Sequence, residues 1–265
     1  MCALKTIEKS VVDSYRVLIQ LEMEIRALKS FNNESIPYLY GVYTSDNYIV
    51  LQQEYIPGTT LRVFLSENKI AVEDCFQICW KLLQIVYLIQ TKGFCHRDIK
   101  PTNIMIEKRE FLVPKQEEHE VVSNEGFLSC SWFQRNNSTN CKDVKLKNAK
   151  YCYKKYDYKI TLVDFGLCIS YDDQNMRDCL MTKICGTRGY FAPEIILANT
   201  PYMLERLDMK KVDIFAIGII LYEMIVGKNP FYGNDSSLTL NSNKICNIDY
   251  SHACIRELNH DQKGL

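Results

Sequence analysis

The sequence predicts an α+β fold in two unequal parts, the first strand-rich and the second mainly helical. Three observations carry this. Strand-like segments at 2–7 and 48–56 flank an amphipathic helical stripe. A Pro57-Gly58 break follows them. Beyond it the long patterns are helical, at 72–92 and 211–226. With 265 residues, 47% of them hydrophobic, the chain is long enough to bury a substantial core.

CALKTI and YIVLQQEYI have the alternating or continuous apolar character of short strands. Between them, Val17, Leu21, Leu28 and Phe31 recur at helical spacing. The 72–92 segment places Phe76, Cys79, Leu83, Val86 and Tyr87 at helical intervals, and Gly93 stands where a left-handed cap is expected. Residues 107–158 are rich in Lys, Glu, Asn and Ser with little periodicity, and are expected to be a disordered insertion. YKITLVDFG reads as a strand running into a turn. The longest apolar run, Ile214–Val226, contains Glu223 and falls short of the roughly 20 apolar residues of a membrane span.

Lysine plus arginine equals aspartate plus glutamate at 32 each, which gives no electrostatic case for nucleic acid or a membrane surface as partner. Twelve cysteines are scattered without a C-x-x-C pair, so reduced thiols in an intracellular protein, cytoplasmic or else nuclear, are expected rather than disulfides or zinc. The Cys130, Cys141 and Cys152 series reads as incidental. The N-terminus shows no apolar signal core.

The chemistry lies in four short motifs. His96-Arg97-Asp98-Ile99-Lys100-Pro101-Thr102-Asn103 follows the 72–92 helix. Asp164-Phe165-Gly166, Gly186-Thr187 and Ala192-Pro193-Glu194 come after it in that order. From about Ala3 to its end, apart from the insertion, the chain resembles the eukaryotic protein kinase family, serine/threonine type. The resemblance implies a two-lobed kinase-like fold, with a small β-rich lobe over 1–56 and a mainly helical lobe over 57–265. It implies MgATP as cofactor and a protein as substrate. In it Asp98 accepts the hydroxyl proton, Lys100 stabilises the transferred phosphoryl group, and Asn103 and Asp164 hold Mg²⁺.

Cys2-Ala3-Leu4-Lys5 is similar to the family's V-A-I-K, whose lysine contacts the nucleotide phosphates. Glu24 is its expected partner over Glu22, because it shares the apolar stripe with Leu21 and Leu28, and a buried carboxylate needs a cation. The resemblance further places Gln53 at the gatekeeper position, Glu54 to Ile56 along the purine edge, and Ala3 and Met105 on the two faces of adenine. Asp213 is expected to anchor the catalytic loop, and Glu194 to pair with an arginine. Arg97 implies control by a phosphorylated loop residue, Thr182 before Ser170; Thr187 is expected near Asp98.

The chain departs from the family pattern in three ways. No G-x-G stands before Lys5, the Asn103–Asp164 interval is long, and the sequence stops at Lys263-Gly264-Leu265, before the last helices of the larger lobe are expected to be complete. Both lobes are therefore expected to be incomplete, and a catalytically impaired pseudokinase or scaffold is the competing reading. Cys185–Tyr190 and Asn229–Gly233 are similar to the calmodulin-dependent kinase group, whereas Arg188 and Pro101-Thr102-Asn103 resemble kinases that fire DNA replication. Subgroup, substrate and regulatory partner stay open.

Overall fold

The computed structural model describes residues 1–12, 15–114, 152–171, 173, 184–198, 200, 202–203 and 206–258. Thr182, Cys130, Cys141 and most of the 107–158 insertion lie outside them. The chain divides into two units, Met1–Lys108 with Tyr158–Leu265, and Arg109–Asp157.

In the larger unit, β1 (Cys2–Glu8) is followed by a 3-10 turn and α1 (Tyr15–Ser30). Next come β2 (Leu39–Thr44) and β3 (Tyr48–Glu54). The strands form an antiparallel sheet in the order β1-β3-β2, with Ala3 opposite Gln53 and Lys5 opposite Leu51. Helix α1 buries Ile19, Leu21, Met23, Ala27 and Leu28, and Glu24 lies on that same buried face. Leu51 at the sheet centre is fully buried.

The mainly helical lobe begins after Gly58, whose φ of +103° is one that L-residues rarely adopt. A Cβ there would also stand 2.5 Å from the Ile106 carbonyl oxygen. Strand β4 (Thr59–Thr60) leads into α2 (Leu61–Glu67), whose first turn is capped by the Thr60 hydroxyl accepting from the Val63 amide. Helix α3 (Val72–Thr91) ends before Gly93, which has φ 78°. Strand β5 (Phe94–Cys95), a 3-10 turn at Pro101–Asn103, β6 (Ile104–Pro114), β7 (Cys152–Leu162) and β8 (Ile169–Ser170) follow. They form the sheets β4-β6-β7 and β5-β8. Then come α4 (Pro193–Leu197), α5 (Met209–Val226), α6 (Ser236–Ile245) and α7 (Ala253–Arg256).

Helix α5 is the core of this lobe. It packs on α3 and buries Val212, Ala216, Ile217, Ile219, Ile220 and Met224 around more than one face, as an all-round apolar helix must. The Asp208 carboxylate caps its start and Gly227 (φ 84°) ends it. Among the described residues no helix is long and apolar enough to cross a membrane. The architecture is a two-lobed α+β fold, with the sheet β1-β3-β2 and α1 in one lobe and α2 to α7 in the other.

The insertion begins later and ends earlier than its composition suggests. Strand β6 continues to Pro114 and β7 starts at Cys152. Neighbouring strands satisfy their backbone groups whatever their side chains, so polar residues without periodicity do not exclude a ribbon. The smaller unit holds the outer arms of these two strands.

Candidate active site

Three polar side chains from three elements meet at one point. Lys5 of β1 donates to both Glu24 oxygens, at 2.7 and 3.0 Å, and to Asp164 Oδ1 at 3.0 Å. Glu22 lies on the exposed face of α1, whereas the Glu24 side chain is 4% exposed. Burial pulls the Lys5 ammonium down, but Glu24 and then Asp164 overcome it and hold the group above its ordinary value. Burial pushes the Glu24 carboxyl up and Lys5 only partly offsets this. Asp164 is also pushed up by burial, yet Lys5 and the Gly166 amide outweigh that and leave it below its usual range.

Asp164 itself has φ 63°, and the turn it makes sends Phe165 inward. That ring is fully buried, 4.9 Å from His96 and 5.8 Å from Phe31, centroid to centroid. Burying a phenyl ring of this kind contributes about 2 kcal/mol, which fixes the turn against α1 and the loop that bears Asp98.

That loop is held from below. Asp213 of α5 accepts from the His96 amide at 2.8 Å and the Arg97 amide at 2.9 Å, and the Cys95 thiol donates to it at 3.1 Å. The Asp98 amide donates to His96 Nδ1 at 3.3 Å, so Nε2 bears the proton and donates to the Val163 carbonyl at 3.2 Å. Full burial lowers the His96 pKa and keeps the ring neutral. Arg97 takes φ 65° and donates from Nε to the Leu167 carbonyl.

Above these anchors, Asp98 receives three donors. Thr187 Oγ1 lies 2.6 Å from Oδ1; Lys100 Nζ and Asn103 Nδ2 lie 2.9 and 3.1 Å from Oδ2. Lys100 also donates to Thr187 at 2.8 Å. Asn103 spends its amide nitrogen on Asp98, which leaves Oδ1 as its free donor atom for a cation. Asp164 Oδ1 is taken by Lys5 and the Gly166 amide, which leaves Oδ2. Two hard oxygens plus phosphate fit magnesium. No group of three or more His, Cys, Asp or Glu among the described residues forms a closed metal cage. The two clusters are tied through Val163, whose amide donates to the Asn103 carbonyl at 2.9 Å while its carbonyl faces His96.

The remaining site candidates are less gathered. Ala3 and Gln53 are partners across β1 and β3, Glu54 ends β3, and Ile56 is half-buried beyond it. Met105 stands on β6 in the sheet β4-β6-β7, opposite Thr60. Ser170 is buried in β8, which shuts it off as a phosphate acceptor. Glu194 makes no ion pair among the described residues, Arg256 included. Sequence reasoning missed a further cluster. Arg62 of α2 donates to Glu223 and to the Tyr190 hydroxyl, each at 2.6 Å, and Tyr190 donates to Glu223 at 2.7 Å. Only the charged Glu223 within an apolar helix hinted at it.

Compared with known families, the chain matches the one described as the protein kinase domain over residues 1–115 and 136–263. It is 25% identical over 249 residues to CBL-interacting serine/threonine-protein kinase 21 of Arabidopsis thaliana, 94% of this chain and 45% of that protein. It is also 25% identical over 217 residues to serine/threonine-protein kinase cds1 of Schizosaccharomyces pombe, covering 82% of this chain and 36% of that one. The same identity holds over 231 residues with fatty acyl-CoA synthetase and RNA processing-associated kinase 1 of Saccharomyces cerevisiae, 86% and 20% of the two chains. The chain spans less than half the length of each of these relatives.

Proposed function

Because this chain belongs to the protein kinase family, we propose that it transfers the γ-phosphate of MgATP to serine or threonine hydroxyls of proteins. The observation that carries this reading is the network that fixes Asp98 between Lys100, Asn103 and Thr187. A carboxylate so held is oriented to accept one proton from an incoming hydroxyl. Phosphoryl transfer needs positioning and charge neutralisation more than covalent catalysis.

In this reading the acceptor hydroxyl gives its proton to Asp98 as its oxygen bonds to the γ-phosphorus, and the bond from γ-phosphorus to the bridging oxygen breaks to release ADP. Lys100 neutralises charge on the phosphoryl group in flight. Lys5, steadied by Glu24, faces the other phosphates. Asn103 Oδ1 and Asp164 Oδ2 would hold magnesium, which when bound neutralises phosphate charge. Ala3, Gln53, Glu54, Ile56 and Met105 would receive the adenine. Lysine at position 100, bonded to Thr187, favours serine or threonine over tyrosine as acceptor. The presence and proximity of Lys5, Glu24 and Asp164 favour catalysis over a scaffold role.

Phosphoamino-acid analysis of a protein labelled by this chain with radioactive MgATP tests the reading. Phosphoserine or phosphothreonine is expected. Label confined to tyrosine, or to a small hydroxyl metabolite, would overturn it.

A further inference from the structure

The segment that carries Thr187 is held by two buried amides that no catalytic step uses. Gly189, two residues on, has both backbone poles bonded to side chains from separate parts of the helical lobe. Its amide donates to Asn243 Oδ1 of α6 at 2.7 Å, and its carbonyl accepts from Asn229 Nδ2 at 3.2 Å. Asn243 also donates from Nδ2 to the Phe191 carbonyl at 3.1 Å, so its one side chain grips the segment on both sides of Tyr190. Asn229 is itself fixed, its Oδ1 accepting from the Phe231 amide at 2.9 Å. Both asparagines are buried, Asn243 completely.

The backbone between these bonds has little room to relax. Gly189 sits at φ +92°, where an added Cβ would collide with the Tyr232 ring. Gly186 sits at φ +122°, where a Cβ would stand 2.8 Å from the Arg97 carbonyl oxygen. Between the two glycines, Thr187 bonds Asp98 and Lys100. Amides that satisfy buried backbone groups are costly to remove, because their partners are left buried without them.

We propose that Asn243 and Asn229 are positioning residues for the protein acceptor: they set the Gly186–Phe191 segment on which the target serine or threonine approaches Asp98. This rests on the kinase reading above. Among the described residues, Lys5, Glu24 and Asp164 on the nucleotide side share no bond with either asparagine. Loss of the clamp therefore bears on acceptor use and spares nucleotide binding, which a general loss of fold would not do.

The test uses the full chain, its Asn243→Leu variant and, independently, Asn229→Leu, with unfractionated histone as acceptor. Phosphate transfer is measured with histone varied at fixed ATP and with ATP varied at fixed histone. Each variant is expected to raise KM for histone by about tenfold, the effect of losing well-placed buried hydrogen bonds. KM for ATP should stay within about twofold of the parent. Hydrogen exchange of the Gly189 amide should quicken in Asn243→Leu while α3 and α5 keep their protection. Unchanged histone kinetics, or KM for ATP rising in step with KM for histone, would overturn the proposal. A parent that transfers no phosphate overturns the kinase reading itself, and Gly189 exchange then still reports whether the clamp holds the segment.

Discussion

Lys5 serves two carboxylates, and the two are not equivalent. Glu24 is nearly dry, whereas the Asp164 side chain is half-exposed. Removing the lysine therefore strands a buried charge on Glu24, while removing Glu24 leaves Lys5 with Asp164 and water. Lys5→Met is expected to cost about 1–3 kcal/mol at neutral pH, and Glu24→Gln less than about 1 kcal/mol. The pH dependence has a definite sign. A carboxyl whose folded pKa is raised contributes stability below its ordinary value, 4.5 for Glu24, and loses it as pH rises through the folded value. Without Lys5 that folded value moves further up. Urea denaturation should show Lys5→Met losing stability as pH rises above the ordinary carboxyl value of 4.5, and Lys5→Met/Glu24→Gln showing no such loss from this position. Equal costs for the two single variants would contradict this picture. Asp164, held low, works in the opposite sense and loses its contribution as pH falls.

Helices α3 and α5 pack against the strand that leads into the Asp98 loop, and each gives a measurable consequence. Asp213 presents two acceptor oxygens to the His96 and Arg97 amides. Asp213→Asn turns one acceptor into a donor against a donor, so it should cost about 2–4 kcal/mol in chemical denaturation, beyond the loss of transfer activity. A variant as stable as the parent would remove the anchoring role. On α3, burial pushes Cys75 up to about 12 and Cys79 up to about 11. Neither thiol should react with maleimide at neutral pH until urea opens the fold, while exposed Cys2 should react at once. Helix α3 was legible from its apolar spacing and its Gly93 end, and α5 from its long apolar run; both are local signals. Strand β2 was not, since Gly41 interrupts it and its tyrosines lie exposed. Residues 107–114 were misread for the opposite reason, because a ribbon's pairing leaves no trace in composition.

At the scale of the whole molecule, the site is assembled across long sequence separations, which decides what a sequence can reveal. Asp98, Lys100 and Asn103 stand within one octapeptide and could be read together. Glu24 could be chosen over Glu22 from helical phase alone. Arg62, Tyr190 and Glu223 meet over separations of 128 and 161 residues, and Asn229 and Asn243 reach Gly189 by paths no local pattern marks. None of the site residues named above falls within Arg109–Asp157. Replacing Arg109–Asp157 with a short turn should leave Tm within a few degrees, since loop entropy changes by only about 0.6 kcal/mol per doubling of length. Tyr158, bonded to Asp74 and Lys81, would still close the base of the hairpin; a collapse of Tm would show that the unit supports the fold. Radiolabelled phosphate transfer from MgATP to a generic basic protein, comparing this chain with Asp98→Asn, shows whether Asp98 receives the acceptor's proton in a working kinase site. Transfer by the parent and a loss of about 10²–10⁴-fold in the variant are expected; equal transfer by both, or none by a folded parent, would rule that role out.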